Sequence, residues 1–246
     1  MADSRQQKPT ILLLCLGDKW MTNMLDDPTA FGAGIDMLLE KAQLKRAKTL
    51  SGALKYLNSN RPDGILVADP GVIAEGNREI LGRLAAFAQS GGTVVFSFCF
   101  ASNINSENMD RLWQQSFDLP WKMNSYHRTT HKLNASALGT TIDLGSDSNS
   151  AADQHGLLLP EYSQKAVHLD NVPRENCWYL PSEESRIESH VFPPTSVTNK
   201  LETPVAFGRV GNGYVGYNGD VNQETGTNLV LLRMFNLDVE NTVEEV

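Results

Sequence analysis

The chain lacks long apolar runs and any surplus of basic residues. Its longest purely apolar run is Ile11–Leu16, far short of the ~20 residues that cross a bilayer. The first ten residues are polar, unlike the apolar segment of a signal peptide, so we expect a soluble cytoplasmic protein. Lys and Arg number 21 against 29 Asp and Glu, giving a net charge of −8. This balance argues against nucleic acid and membrane surfaces as partners.

Residues that would build a disulfide framework or a metal site are also few. The three cysteines are odd in number and widely spaced: Cys15, Cys99 and Cys177. This pattern indicates neither a disulfide framework nor a C-x-x-C knuckle. His127 and His131 lie four residues apart, but in a stretch predicted to be extended and without the H-E-x-x-H pattern. No Walker or Gly-x-Gly-x-x-Gly loop is present. We therefore expect no metal and no cofactor.

What the sequence does contain is an alternation of buried strands and helices. Apolar runs typical of buried parallel strands occur at Thr10–Leu16, Gly64–Ala68 and Thr93–Phe96. Lys45–Thr49 is a further, short strand candidate. Helix-starting signals stand between them, at Asp27-Pro28, Ser51 and Asn77. The alternation predicts an α/β three-layer sandwich with a central, mostly parallel sheet.

The second half of the chain is predicted to be less regular. Residues 119–194 are polar and have only short extended pieces, which indicates an irregular insertion within a single domain spanning 1–246. After it, Gly211-Asn212-Gly213 separates two strand-like segments and predicts a late β-hairpin. A closing helix is expected from Thr225 onward.

The turn after the fourth strand carries the first candidate for chemistry. A nucleophile on a sharp strand-to-helix turn needs small residues two positions before and two after it. Ser97 and Ala101 stand at these positions around Cys99. This spacing makes Cys99 a candidate nucleophile, with Phe98 lining an apolar substrate pocket. The alternative is a cysteine that only packs, and the phenylalanines on either side would raise its pKa.

Asp69-Pro70-Gly71 follows the neighbouring strand and supplies a second candidate. The backbone N–H groups of Gly71 and Phe100 could hold an oxyanion formed over Cys99. The alternative is an ordinary Pro-Gly turn.

This layout resembles the class I glutamine amidotransferase-like superfamily. The resemblance rests on Asp69-Pro70-Gly71, on Gly91-Gly92 before the strand that leads to Cys99, and on the late hairpin and helix. It implies a flavodoxin-like sandwich with its site at Cys99 and backbone donors at Gly71 and Phe100. Glutaminases of this class carry Gly-x-Cys-x-Gly, whereas this chain has Ser-Phe-Cys-Phe-Ala.

The turn between the last strand and the last helix departs further from the glutaminases. They carry His-x-Glu there, whereas Tyr217–Asn222 contains no histidine. We therefore expect no glutaminase activity. The turn is more similar to that of trehalose-utilisation-type relatives, which keep the fold without the triad.

Two histidines remain as candidate bases. His127 follows Cys99 by 28 residues, loosely as in the isonitrile-hydratase branch of the superfamily. His190 lies at a glutaminase-like distance but would have to reach the site from an insertion. Either could instead be a surface residue or a hydrogen-bonding one.

Carboxylates and one tryptophan complete the predicted site. Asp18 and Trp20 follow the first strand and would bind substrate, and Asp220 ends the last strand. If Asp18 and Asp220 faced each other, their like charges would raise the pKa of one of them. That carboxyl group could then act as a general acid. The alternative is that both cap the helices that follow.

These features predict a cofactor-independent small-molecule enzyme, a hydrolase, lyase or isomerase, that uses Cys99. The alternative is a non-catalytic binding or scaffolding protein that has lost the triad. A small molecule is the expected partner in both cases, and a homodimer is left open.

Overall fold

A nine-stranded sheet forms the centre of the computed structural model, which describes residues 8–141, 158–189 and 191–237. Its strands are β1 (Thr10–Leu14), β2 (Gln43–Ala47), β3 (Gly64–Val67), β4 (Thr93–Phe96), β5 (Lys122–Leu133), β6 (Glu161–Asp170), β7 (Cys177–Pro181), β10 (Val205–Val210) and β11 (Gly213–Asn218). They lie in the order β2-β1-β3-β4-β11-β10-β7-β5-β6. The short strands β8 (Arg186–Ile187) and β9 (Thr195–Ser196) form a separate pair.

One half of the sheet is parallel and confirms the prediction from the apolar runs. Strands β2, β1, β3, β4 and β11 all run in the same direction. The residues of β3 are all buried, as expected for a strand covered on both faces. The predicted hairpin is also present, since β10 and β11 pair with Val210 opposite Gly213.

Helices cover both faces of the parallel strands. They are α1 (Lys19–Asp26), α2 (Gly32–Lys41) and α7 (Thr225–Met234) on one face, and α3 (Leu50–Ser59) and α4 (Arg78–Gln89) on the other. Two further helices, α5 (Ser106–Arg111) and α6 (Ala135–Thr141), contact strands of the antiparallel half. Alternate residues of β1 belong to two different cores: Leu12 and Leu14 pack with α3 and α4, whereas Ile11 and Leu13 pack with α1, α2 and α7. This arrangement is the predicted three-layer sandwich.

Two helix starts differ from the sequence prediction. The helix expected at Asp27-Pro28 begins only at Gly32, after a turn in which Asp27 accepts a hydrogen bond from the Thr29 N–H. The third helix is capped by Thr49 and not by Ser51, because the Thr49 hydroxyl accepts from the Gly52 N–H at 3.1 Å.

The antiparallel half of the sheet curls until it meets the hairpin again. β6 pairs with β5 along one side. On the other side its backbone bonds to two segments that adjoin the hairpin: the Val167 N–H donates to Gly219 O at 2.9 Å, and the Leu169 N–H donates to Thr203 O at 2.8 Å. The inner face of β5 and β6 is enclosed as a result.

Within the described ranges, no helix combines the length and the apolar character needed to span a membrane.

Candidate functional site

The backbone of the sharp turn after β4 is strained at one residue, Phe98. Phe98 has a φ of 57°, in a region that a bulky residue adopts only when its surroundings enforce it. Its ring is fully buried and packs edge-to-face on Phe31, with ring centroids 5.6 Å apart. A Cβ on Gly34 of α2 would lie only 3.2 Å from this ring. The Phe98 ring thus fills the space above the carboxyl end of β4.

Cys99 follows the strained position by one residue and is buried. Its side chain is 1% exposed, and its thiol lies 3.9 Å from Met21 O. Burial, followed by the negative charge of Asp69, raises the pKa of Cys99 to about 12. Cys15 and Cys177 are equally buried, and their pKa values are also raised to about 12. Because the thiolate is the reactive form, we expect all three thiols to react slowly at neutral pH.

The two backbone donors predicted for an oxyanion already have acceptors. The Phe100 N–H donates to Ser97 O at 3.1 Å. The Gly71 N–H donates to Asp69 Oδ1 at 2.8 Å, and the Gly17 N–H reaches the same oxygen at 2.8 Å. A Cβ on Gly71 would lie 2.2 Å from Gly17 N, so only glycine fits there. Gly71 therefore closes a tight contact between two strand ends.

The predicted carboxylates occupy different environments. Asp18 and Trp20 stand at the start of α1 and are exposed, Trp20 by 49%. Asp220 is fully buried, accepting from the N–H groups of Asn222 and Glu224 at 3.0 and 2.7 Å and from the Thr227 hydroxyl at 2.6 Å. These bonds fix the turn that leads into α7, whose N-cap position is Glu224. Asp18 occupies the N-cap position of α1 without a capping hydrogen bond from its side chain.

Electrostatics likewise separate the two carboxylates. Burial raises the pKa of Asp220, and the nearby negative charge that adds to the shift is Glu224. The charge of Asp18 instead helps to raise the pKa of Asp69, although burial is the main cause of that shift.

His127 belongs to a cluster on the enclosed face of β5 and β6. Its ring stacks on His168 with centroids 4.3 Å apart, and its Nδ1 lies 3.1 Å from Ser125 Oγ. Its Nε2 lies 3.8 Å from Glu202 Oε1. His131 Nε2 lies 2.9 Å from His168 Nε2. His190, the other candidate base, lies outside the described residues.

Burial keeps these histidines neutral at pH 7. It lowers the pKa of His127, and it lowers the pKa of His168 to about 3. The pKa of His131 lies well below the usual value, because of burial and then the neighbouring imidazoles. Neutral imidazoles keep a free lone pair, which is the form that binds metals.

Sequence reasoning identified His127 and His131 but not His168 or Glu202. One signal was present: Ser125, His127 and His131 lie on one side of an alternating strand, where core positions are usually apolar. A polar inner face of this kind indicates a site or a polar network.

Comparison with solved structures identifies the architecture. The chain is similar to a putative ThuA-like protein from Bacteroides uniformis, with a TM-score of 0.51, 12% identity and coverage of 98% of this chain and 94% of that one. The chain's fold is similar to that of this protein. A second putative ThuA-like protein, from Parabacteroides merdae, gives a TM-score of 0.51 at 11% identity, covering 98% and 93%.

Part of a larger enzyme also has a similar fold. A β-galactosidase from the haloarchaeon Halorubrum lacusprofundi matches with a TM-score of 0.51 and 13% identity over 94% of this chain, but over only 30% of its own. No protein-family model and no curated protein matches the sequence. At these identities the likeness concerns the fold alone.

Proposed function

We propose that this chain is a small-molecule-binding protein of the class I amidotransferase-like fold. It carries no thiol catalysis at the sharp turn after β4, the elbow formed by Ser97–Ala101. One observation carries the proposal: Phe98, and not a nucleophile, holds the strained position at the end of β4. A nucleophile must project from that position toward the substrate. Here an apolar ring projects from it and packs against Phe31.

The surroundings of Cys99 support the same conclusion. The sulfur is buried and its pKa is raised, while the N–H groups of Gly71 and Phe100 are bonded within the protein. Asp220 is committed to the start of α7. A thiol mechanism needs a base, a thiolate and free oxyanion donors, and each of these groups has a structural role instead.

Ligand contact is proposed at the exposed start of α1. Trp20 offers an exposed aromatic face, and the Asp18 carboxylate stands two residues away. An aromatic face beside a carboxylate suits a small ligand with an apolar or cationic surface.

The test is turnover measured with and without the Cys99 sulfur. Ammonia release from glutamine and hydrolysis of an activated ester are compared in the wild type, Cys99→Ala and the control Cys177→Ala, which removes an equally buried thiol far along the chain. We expect ammonia release at background and no change in ester hydrolysis with either variant. Turnover abolished by Cys99→Ala and retained by Cys177→Ala would overturn the proposal and favour the cysteine-dependent enzyme.

A further inference from the structure

The enclosed face of β5 and β6 carries a cluster of metal-binding side chains apart from the elbow. His131 and His168 are fully buried, and the side chains of His127 and Glu202 are 9% and 3% exposed. One ring nitrogen of His127, one of His168 and one carboxylate oxygen of Glu202 all lie within 4.8 Å of one another. The proposed binding role at α1 uses none of these groups.

The hydrogen bonds around Ser125 fix which ring nitrogens carry protons. His168 Nδ1 lies 3.2 Å from Ser125 O, a carbonyl that can only accept, so this nitrogen carries the proton. The Ser125 hydroxyl donates its single proton to Glu202 Oε2 at 2.5 Å. It can then only accept from His127 Nδ1. In both neutral rings the lone pair is therefore on Nε2. That of His168 accepts a hydrogen bond from His131 Nε2 at 2.9 Å, whereas that of His127 is free.

These protonation states bring two acceptors face to face. Among the described residues, His127 Nε2 has no hydrogen-bond partner, although it is buried. It faces Glu202 Oε1 at 3.8 Å, beyond hydrogen-bond distance. A buried lone pair beside a carboxylate oxygen is unfavourable unless a cation lies between them.

The separation of these two atoms suits an ion of the size of zinc. Zinc lies roughly 2.0–2.1 Å from imidazole nitrogen and roughly 2.0–2.2 Å from carboxylate oxygen. His127 Nε2 and Glu202 Oε1 are 3.8 Å apart. If an ion touched both atoms at these distances, the angle Nε2–ion–Oε1 would be about 130°. That angle is wider than the tetrahedral angle. A small movement of either side chain toward the other would narrow it to the tetrahedral value.

We propose that His127, His168 and Glu202 bind a divalent transition-metal ion, with zinc as the best match to this ligand set. Imidazole and carboxylate together are typical zinc ligands. Metal-binding histidines usually donate their other ring N–H to a carbonyl, carboxylate or similar acceptor. Ser125 supplies such an acceptor to both rings, through its carbonyl for His168 and its hydroxyl for His127.

Binding requires a local change that can be observed. The rings of His127 and His168 are stacked within 16° of parallel. A lone pair lies in the plane of its ring, so one ring must tilt before both point at a single ion. His127 is the less buried of the two and is the ring that turns. His131 Nε2, which donates to His168 Nε2 at 2.9 Å, must also release this bond before His168 Nε2 can bind an ion.

The test is metal binding to chelator-treated, full-length protein. Zn²⁺ is titrated by calorimetry, and Co²⁺ is used as a spectroscopic probe of the ligand set. We expect one ion per chain, no competition by Mg²⁺ or Ca²⁺, and a loss of Zn²⁺ affinity on the order of 100-fold in His127→Asn and in Glu202→Gln. Glu184→Gln changes an exposed carboxylate and Cys177→Ala a buried thiol, so both controls should keep the wild-type affinity.

Three outcomes would overturn the metal site. These are the absence of stoichiometric Zn²⁺ binding, an affinity unchanged in both His127→Asn and Glu202→Gln, or an affinity lost in Cys177→Ala. If Glu202→Gln fails to fold, His127→Asn and ring ¹⁵N shifts in the wild type decide. Zinc should shift the nitrogen resonances of His127 and His168, and unchanged resonances would refute their assignment as ligands.

Discussion

Replacing Phe98 by glycine should cost less stability than replacing it by alanine, the reverse of the usual order. Both variants lose a fully buried ring, which costs about 3–5 kcal/mol in a core. The φ of 57° adds a second contribution. Alanine keeps the penalty of a left-handed residue, about 1–2 kcal/mol, whereas glycine does not have it. Phe98→Gly should therefore be about 1 kcal/mol more stable than Phe98→Ala.

Phe96 supplies the matched control. It is equally buried and lies two residues earlier in β4, where the backbone is a regular strand. Glycine in a strand is less stable than alanine by roughly 0.5–1 kcal/mol. Phe96→Gly should thus be the less stable of its pair.

Urea denaturation followed by circular dichroism measures all four free energies of unfolding. Opposite signs at Phe98 and Phe96 are the expected result. If glycine is less stable than alanine at Phe98 by as much as at Phe96, Phe98 does not occupy the strained position and the elbow argument fails.

Three further predictions follow from single contacts. Gly71→Ala should destabilise the protein by about 1–3 kcal/mol or more because its Cβ would meet backbone at 2.2 Å, whereas Gly76→Ala, with nothing within 4 Å, should be neutral in the same urea assay. Asp220→Ala should cost about 2 kcal/mol by removing the buried hydrogen bonds that fix the turn before α7; an unchanged unfolding midpoint would contradict this structural role. Iodide should quench only the fluorescence of Trp20, the exposed tryptophan, so quenching that persists in Trp20→Phe would show that a buried tryptophan is accessible.

The parallel half of the fold could be predicted because its signals are local. Apolar runs such as Thr10–Leu14 identify buried strands from a few adjacent residues. The antiparallel half depends on distant pairing. In β5 the inner face is polar, so the alternation that normally marks a half-buried strand gives no apolar stripe.

The position of the elbow could not be read from residue size alone. The spacing of Ser97 and Ala101 points to Cys99, yet the backbone turns at Phe98. The residues two before and two after Phe98 are both phenylalanines. Phe96 and Phe100 avoid a collision because their rings pack on each other, with centroids 4.9 Å apart.

The proximity of His168 and Glu202 to the other histidines could not be predicted from the sequence, because it depends on the topology of the sheet. His168 is 37 residues from His131, and Glu202 is 77 residues from Ser125. The pairing of β6 with β5 brings His168 to Ser125 and His131, and the bond between Leu169 N–H and Thr203 O brings Glu202 beside them. Neither residue has a local motif that would single it out.

Thiol labelling of the native protein tests most directly the claim that the elbow carries no thiol chemistry. The protein is treated with iodoacetamide near pH 7.5, and the modified sites are mapped by mass spectrometry before and after denaturation. Because all three cysteines are buried and their pKa values are raised to about 12, we predict no rapid labelling of the folded chain and labelling of all three thiols once it is unfolded. Rapid labelling of Cys99 in the folded protein, faster than that of Cys15, would contradict this account.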